Sequence, residues 1–109
     1  MELTTRDEGD IKVIMLNGKL DTNTTPAAES EINALIDAGA SKLLINFEQL
    51  SYISSSGLRL LLATAKRLKG NGGDLQVCSL NVMATEVFEI SGFSTILKVF
   101  PNEQAALGS

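Results

Sequence analysis

The sequence predicts an α/β protein in which helices pack against a mixed central sheet of about four to five strands. Short apolar runs of strand length alternate along the 109-residue chain with longer segments whose apolar residues recur at the helical period. Such alternation is typical of a parallel or mixed sheet, because parallel strands need long crossover connections. We therefore expect the element order β-β-α-β-α-β-α-β-α in a single domain spanning residues 1–109.

Five segments are predicted to be strands because they are short and rich in β-branched or other apolar residues. Glycine-containing turns separate several of them. Gly9–Asp10 predicts a hairpin between the first two strands, and Gly70–Asp74 predicts a loop before the fourth. The predicted strands are Glu2–Arg6, Ile11–Leu16, Lys42–Phe47, Leu75–Cys78 and Ile96–Phe100.

Four segments are predicted to be helices from their apolar period and from the capping residues that bound them. Thr25 is expected to cap the first helix, with Pro26 as its first residue and Gly39 after its end. Three serines precede the second helix, which runs to about Lys69, and Asn81 is expected to cap the third. The predicted apolar stripe of the first helix is Ala28, Ile32, Leu35 and Ile36, and that of the second is Leu58, Leu61, Leu62, Ala65 and Leu68. The predicted stripe of the third helix is Met83, Val87 and Ile90. The fourth helix is predicted over Pro101–Leu107.

Composition argues against several classes of function. Nine basic and thirteen acidic residues give a net charge of −4, which argues against nucleic-acid binding. The chain has no histidine and one cysteine, so it contains no Ser-His-Asp triad, Cys-His dyad or histidine-based zinc site. Cys78 lies in a predicted strand and is expected to be a buried, unreactive thiol. We expect no metal and no cofactor.

The apolar pattern also bears on location. No apolar run approaches the roughly 20 residues of a membrane-spanning helix. The acidic first residues lack the basic and then apolar pattern of a signal peptide. We therefore expect a cytoplasmic protein without a membrane partner. No heptad seam is present, so we expect a monomer when the protein is free.

The most informative stretch lies between the third predicted strand and the second predicted helix. There, Ser54, Ser55 and Ser56 precede Gly57. One serine is enough to cap a helix, and on position alone any of the three could be that cap. The positive end of the helix dipole also favours an anion, including a phosphate attached to a serine. The segment is therefore a candidate phosphorylation site.

Residues 50–62 resemble the phosphorylation-site motif of the bacterial anti-sigma factor antagonists, which are small proteins of the STAS domain class. Leu16–Asp21 is similar to the family's Leu-x-Gly-x-Leu-Asp element, and Ile90–Phe93 resembles its late Ser-Gly-Leu/Phe turn. The spacing of the three elements fits, and the resemblance covers nearly the whole chain. It implies a STAS-like arrangement of helices on a central sheet.

The resemblance also implies site residues. Family members often carry aspartate immediately before the phosphorylated residue, where this chain has Ser54. Alignment on Gly57 favours Ser55 as the phosphoacceptor, with Ser54 and Ser56 as the alternatives. Asp21 is a turn or capping carboxylate from its immediate sequence, whereas the resemblance places it beside the modified serine. The residues expected at the partner surface are Asp21, Thr22, Ser54, Ser56, Gly57, Leu58 and Arg59.

A physical reason for glycine at position 57 is that it has no side chain. A side chain at this position is expected to obstruct the close approach of a partner to the helix N-terminus.

The resemblance implies a function in partner switching. The unmodified protein would bind an anti-sigma factor that is also a serine kinase, and so free the sigma factor. That kinase would phosphorylate Ser55 with ATP, and a PP2C-type serine phosphatase would reset the cycle. One alternative is a scaffold subunit of a stress-signalling complex on the same fold. A phosphoryl-transfer enzyme using Ser55 or Asp21 is disfavoured, since no phosphate-binding loop or complete catalytic set is visible.

Overall fold

In the computed structural model, which describes residues 1–108, six strands form one sheet. The strands are β1 (Glu2–Glu8), β2 (Ile11–Leu20), β3 (Lys42–Asn46), β4 (Leu50–Ile53), β5 (Asp74–Cys78) and β6 (Lys98–Phe100). The helices are α1 (Thr25–Asp37), α2 (Ser55–Gly70), α3 (Val82–Ser91) and α4 (Glu103–Leu107), with a 3₁₀ turn at Phe93–Thr95.

The sheet is mixed, as expected. Its strand order is β1-β2-β3-β5-β6, in which β1 is antiparallel to β2 and the other neighbours are parallel. β4 lies off this path and pairs in parallel with the last part of β2. The predicted α/β class is thereby confirmed. None of the helices among residues 1–108 is long and apolar enough to cross a membrane.

The predicted strand count is too low by one, because the sequence pattern indicates a connection, not a strand, where β4 lies. After β3 the chain makes a turn, in which the Leu50 N–H donates to the Phe47 carbonyl at 3.0 Å. It then rejoins β2, where the Gly18 N–H donates to the Gln49 carbonyl at 3.0 Å. The four residues of β4 do not alternate in polarity, since the two exposed residues lie between the buried Leu50 and Ile53, so only the pairing with β2 makes this segment a strand.

The main core lies between one face of the sheet and the first three helices. Alternate residues of the central strands enter it, as the period of a strand requires, including Ile14 of β2, Ile45 of β3 and Val77 of β5. The Phe47 and Phe88 rings meet edge to face with their centroids 5.9 Å apart, so α3 is anchored against the end of β3.

The predicted apolar stripes of α2 and α3 are partly wrong. In α2 the buried residues also include Gly57, Leu60 and Thr64, whereas Leu58 and Leu62 are only half-buried, because the run of leucines fits two adjacent stripes equally well. In α3 the buried residues are Ala84 and Phe88. Ile90 is 88% exposed, since α3 touches the core along a single narrow stripe.

Several element boundaries also differ from the prediction, and the largest difference is in β2, which continues to Leu20 rather than ending at Leu16. The N-cap position of α1 is Thr24 rather than Thr25, which already has helical backbone and a hydroxyl that donates to the Asp21 carbonyl at 2.6 Å. α2 continues to Gly70, which shortens the predicted loop. β6 begins at Lys98, because the 3₁₀ turn occupies the residues before it. Asn81 caps α3 as predicted, with its side-chain oxygen accepting from the Ala84 N–H at 2.8 Å.

The fourth helix, α4, packs on the other face of the sheet. Its Ala106 packs on Val13, Leu44 and Cys78, which form a second, smaller cluster. Cys78 is fully buried, as predicted, and burial raises the pKa of its thiol. A five-residue helix is too short to be stable alone, so its position depends on these contacts and on polar ones.

The polar contacts of α4 centre on Glu103. Its carboxylate accepts hydrogen bonds from the Arg6 guanidinium of β1 and, at 2.6 Å, from the Asn46 side-chain amide. Asn46 is 3% exposed and also accepts from the Glu48 N–H at 2.8 Å. The hydrogen bond from Arg6 is the main reason that the pKa of Glu103 lies below its ordinary value. Glu103 therefore joins α4 to two strands.

Replacing Gly73 by alanine is expected to destabilise the protein by more than about 2 kcal/mol. A Cβ at Gly73 would lie 1.8 Å from the Ser41 carbonyl oxygen, which is backbone and cannot rotate away. Gly70→Ala is the matched control, because nothing lies within 4 Å of its Cβ position. It should be neutral or stabilise the fold by up to about 1 kcal/mol. Chemical denaturation measures both, and equal stability of the two variants would refute this account.

Acidification is expected to weaken the docking of α4. The folded-state pKa of Glu103 is lowered, so its contribution to stability is present above its ordinary pKa near 4.5 and is lost as the pH falls through the lowered value. Unfolding free energies across the acid range should fall more steeply for the native chain than for Glu103→Gln. Parallel curves for the two proteins would contradict this role of Glu103.

Candidate functional site

The candidate site is built where β2 and β4 end side by side. The parallel register pairs Leu20, the last residue of β2, with Ile53, the last residue of β4. The Ser54 N–H then donates to the Leu20 carbonyl at 2.9 Å. Because Asp21 and Ser54 each follow one of these paired residues directly, the structure brings together the two motifs that lie more than thirty positions apart in the sequence.

Ser54 is the helix cap. Its backbone is extended, with φ −92° and ψ 174°, and its hydroxyl accepts from the Gly57 N–H at 3.3 Å. This is the usual geometry of an N-cap, in which the side chain satisfies an otherwise unpaired donor of the first turn. The prediction that one of the three serines caps the helix is thus satisfied at Ser54.

Ser55 is the first residue of α2 and is exposed. Within residues 1–108 its hydroxyl has no hydrogen-bond partner. Ser56 is half-buried, and its hydroxyl accepts from Nη2 of Arg59 at 3.3 Å. Ser55 is therefore the serine of the three whose hydroxyl is both exposed and available for reaction. It stands at the positive end of a 16-residue helix.

The rationale predicted for Gly57 is wrong. Gly57 is buried, and a Cβ built on it would lie 2.9 Å from both Ile53 Cγ1 and Leu20 Cδ2. The missing side chain thus makes room inside the protein, where the first turn of α2 crosses the ends of β2 and β4. Glycine at this position lets the helix start close to the sheet, and so determines where Ser55 stands.

Asp21 shapes the turn beside the serines. Its Oδ1 accepts from the Asn23 N–H at 2.9 Å and from the Thr24 N–H at 3.1 Å, the pattern of an Asx turn. The bond from the Thr24 N–H is the main reason that the pKa of Asp21 is lowered, so the carboxylate is charged at neutral pH. The turn role is therefore observed, whereas the partner contact stays a prediction. Thr22 is exposed at the tip of this turn.

The remaining predicted residues lie on the first turns of α2. Leu58 is half-buried and packs against the main core, while Arg59 is exposed. A shallow groove runs beside them between α1 and α2. Its lining residues are Thr25, Glu29, Ser56, Arg59, Leu60 and Ala63.

Sequence reasoning missed two exposed residues next to this surface. Tyr52 of β4 is 46% exposed two positions before Ser54, and Glu29 of α1 lines the groove that also holds Arg59. The sequence signal that could have indicated an exposed Tyr52 is that this aromatic residue lies between Ser51 and the serines at 54–56. Glu29 gave no signal, because only the packing of α1 against α2 brings it to the site.

The chain is similar to known proteins in both sequence and structure. A model of the STAS domain matches residues 2–106 of the chain. BtrV of Bordetella bronchiseptica, which is named as an anti-sigma factor antagonist, is 36% identical over 106 residues. The match covers 97% of this chain and 91% of BtrV.

Solved structures are similar as well. An anti-sigma factor antagonist from Mycobacterium paratuberculosis matches with a TM-score of 0.91 at 23% identity, covering 98% of this chain and 91% of that one. The Bacillus cell fate determinant SpoIIAA in its phosphorylated form matches with a TM-score of 0.77 at 26% identity, covering 98% of this chain and 97% of that one. SpoIIAA is also solved unphosphorylated, and is named there as an anti-sigma factor antagonist.

Stability should distinguish the cap from its neighbour. Ser54→Ala removes the hydroxyl that accepts from Gly57 and is expected to cost about 0.5–2 kcal/mol. Ser55→Ala removes a hydroxyl that has no hydrogen-bond partner among residues 1–108 and should stay within about 0.5 kcal/mol of the native chain. Urea unfolding of both variants tests this difference. A larger loss at Ser55 than at Ser54 would mean that the assignment of the cap is wrong.

Proposed function

Because the chain belongs to the STAS domain family, we propose that it is an anti-sigma factor antagonist whose partner binding is controlled by phosphorylation of Ser55. The observation that carries this proposal is the exposed Ser55 hydroxyl, without a protein partner in residues 1–108, at the N-terminus of α2. The existence of phosphorylated and unphosphorylated forms of a similar protein, SpoIIAA, supports it.

In this proposal the unmodified protein binds an anti-sigma factor that is also an ATP-dependent serine kinase, and the sigma factor is released. The kinase transfers the γ-phosphoryl group of ATP to the Ser55 oxygen, the hydroxyl proton is lost and ADP leaves. The phosphorylated protein then dissociates from the kinase. A PP2C-type serine phosphatase hydrolyses the phosphoserine and restores the binding form. The antagonist and its kinase act in the cytoplasm, and the antagonist is a monomer when it is not bound to the kinase.

The partner surface in this proposal surrounds Ser55. It consists of the turn at Asp21 and Thr22 and of the first residues of α2, where Ser54, Ser56, Leu58 and Arg59 have exposed or half-buried side chains. Gly57 supports this surface from inside the protein, because its missing side chain lets α2 lie close to the sheet.

Electrostatics explain why the modification would act on the interface. Phosphoserine carries a charge of about −1.5 to −2 at neutral pH. At a helix N-terminus the dipole favours this charge, so the fold tolerates it. Inside a docked interface the same charge must lose its hydration, which is costly without a matched cation. Changing binding from nearly complete to nearly absent requires roughly 5.5 kcal/mol, which a dianion at the centre of an interface can supply.

The proposal is tested with three baits, namely the native chain, Ser55→Ala and Ser55→Asp. The native chain and Ser55→Ala should retain a kinase-type anti-sigma factor, because neither carries a charge at this position. Ser55→Asp should bind it more weakly by at least about tenfold, corresponding to roughly 1.4 kcal/mol. Titration calorimetry with the captured protein gives the affinities, and thermal melts verify that all three baits are folded.

Mass spectrometry after incubation with the kinase and ATP should locate the phosphate on Ser55. A phosphate on Ser54 or Ser56 would overturn the assignment of the residue. Equal affinity of the native chain and Ser55→Asp would remove the main support for electrostatic control.

A further inference from the structure

Arg59 stands one helical turn after Ser55, and among residues 1–108 it forms no ion pair. Of the three arginines in the chain, Arg6 and Arg67 form ion pairs with carboxylates. In the described part of the chain, Arg59 makes one hydrogen bond, from Nη2 to the hydroxyl of Ser56 at 3.3 Å. A bond of this length to a neutral acceptor on the surface is weak and readily exchanged.

Helix geometry places this guanidinium within reach of Ser55. Ser55 is the first residue of α2 and Arg59 follows four positions later, so the two lie on one face of the helix. Helical side chains lean toward the N-terminus, and the bond to Ser56 shows that Arg59 does so. An anion placed four residues before a cation is also the favourable order for such a pair.

We propose that Arg59 binds the phosphate of phosphorylated Ser55, giving up its hydrogen bond to Ser56. This inference rests on the proposed function for the identity of the modified residue. Guanidinium and phosphate form charge-assisted, often bidentate hydrogen bonds, which are roughly twice as strong as the neutral bond that is lost. The phosphate is then held on its own helix by Arg59 and by the N–H groups of the first turn.

The surrounding charges favour this exchange. Glu29 of α1 lines the same groove and forms no ion pair with Arg59. Asp21 lies in the neighbouring turn, where its Oδ1 is occupied by backbone N–H groups. A phosphate of charge about −1.5 to −2, attached to the same helix, attracts the guanidinium more strongly than either single carboxylate.

The consequence for switching is that phosphorylation changes two charges at the partner surface. It adds an anion at Ser55 and engages Arg59, which pairs with no carboxylate of residues 1–108 in the unmodified protein. A partner carboxylate that pairs with Arg59 in the unmodified complex would lose that contact when the phosphate is present.

The test uses the full chain with phosphoserine inserted at position 55 during translation, so no kinase is required. Phosphorus NMR across the pH range gives the second pKa of this phosphate. An adjacent cation favours the dianion, so Arg59→Gln should raise that pKa by about 0.2–0.4 relative to the native chain. Arg59→Lys, which keeps the charge without the planar fork, should lie between the two. High salt should reduce the difference.

The matched control is Lys66→Gln, which removes an exposed cation from the same helix at a distance of about 16 Å along the axis from Ser55. It should leave the phosphate pKa at the native value. An identical pKa for the native chain and Arg59→Gln, or an equal rise in Lys66→Gln, would overturn the role of Arg59. Neither result depends on a kinase or a sigma factor, so failure here and failure of the proposed function are distinguishable.

Discussion

The parallel pairing of the last residues of β2 and β4 is the constraint on which the site depends. It places Leu20 beside Ile53 and lets the Ser54 N–H bond to the Leu20 carbonyl. The first turn of α2 then crosses both strand ends, and the glycine at position 57 leaves room for that approach. Since both strand ends and this first turn belong to the main core, Ser55 is presented from a rigid frame.

This arrangement separates the tasks of neighbouring residues. Ser54 satisfies the helix terminus, so Ser55 is not needed for folding and its hydroxyl is available for modification. Asp21 holds the adjacent turn through backbone N–H groups and contributes a negative charge to the same surface. Docking of α4 through Glu103 takes place on the opposite face of the sheet. A charge added at Ser55 can therefore change the surface while the packing underneath stays the same.

The order of most elements was predictable from sequence because they are long, periodic or bounded by strong signals such as Gly39 and Asn81. β4 was not predictable, since its four residues do not alternate in polarity and become a strand only through their pairing with β2. Ser55 could be singled out by resemblance, but the identity of the cap required backbone geometry. The inward role of Gly57 and the position of Glu29 depend on contacts between distant segments, which a local pattern does not contain.

The central claim is that phosphorylation of Ser55 alters a surface and leaves the fold intact. Amide NMR spectra of the unmodified chain and of the chain phosphorylated at Ser55 test it directly. The account predicts that shifts change around residues 20–24 and 53–60 alone, with a free energy of unfolding that is equal or higher. Shifts that spread through β5, β6 and α4, or a loss of stability, would show that the modification acts on the fold and would contradict the account.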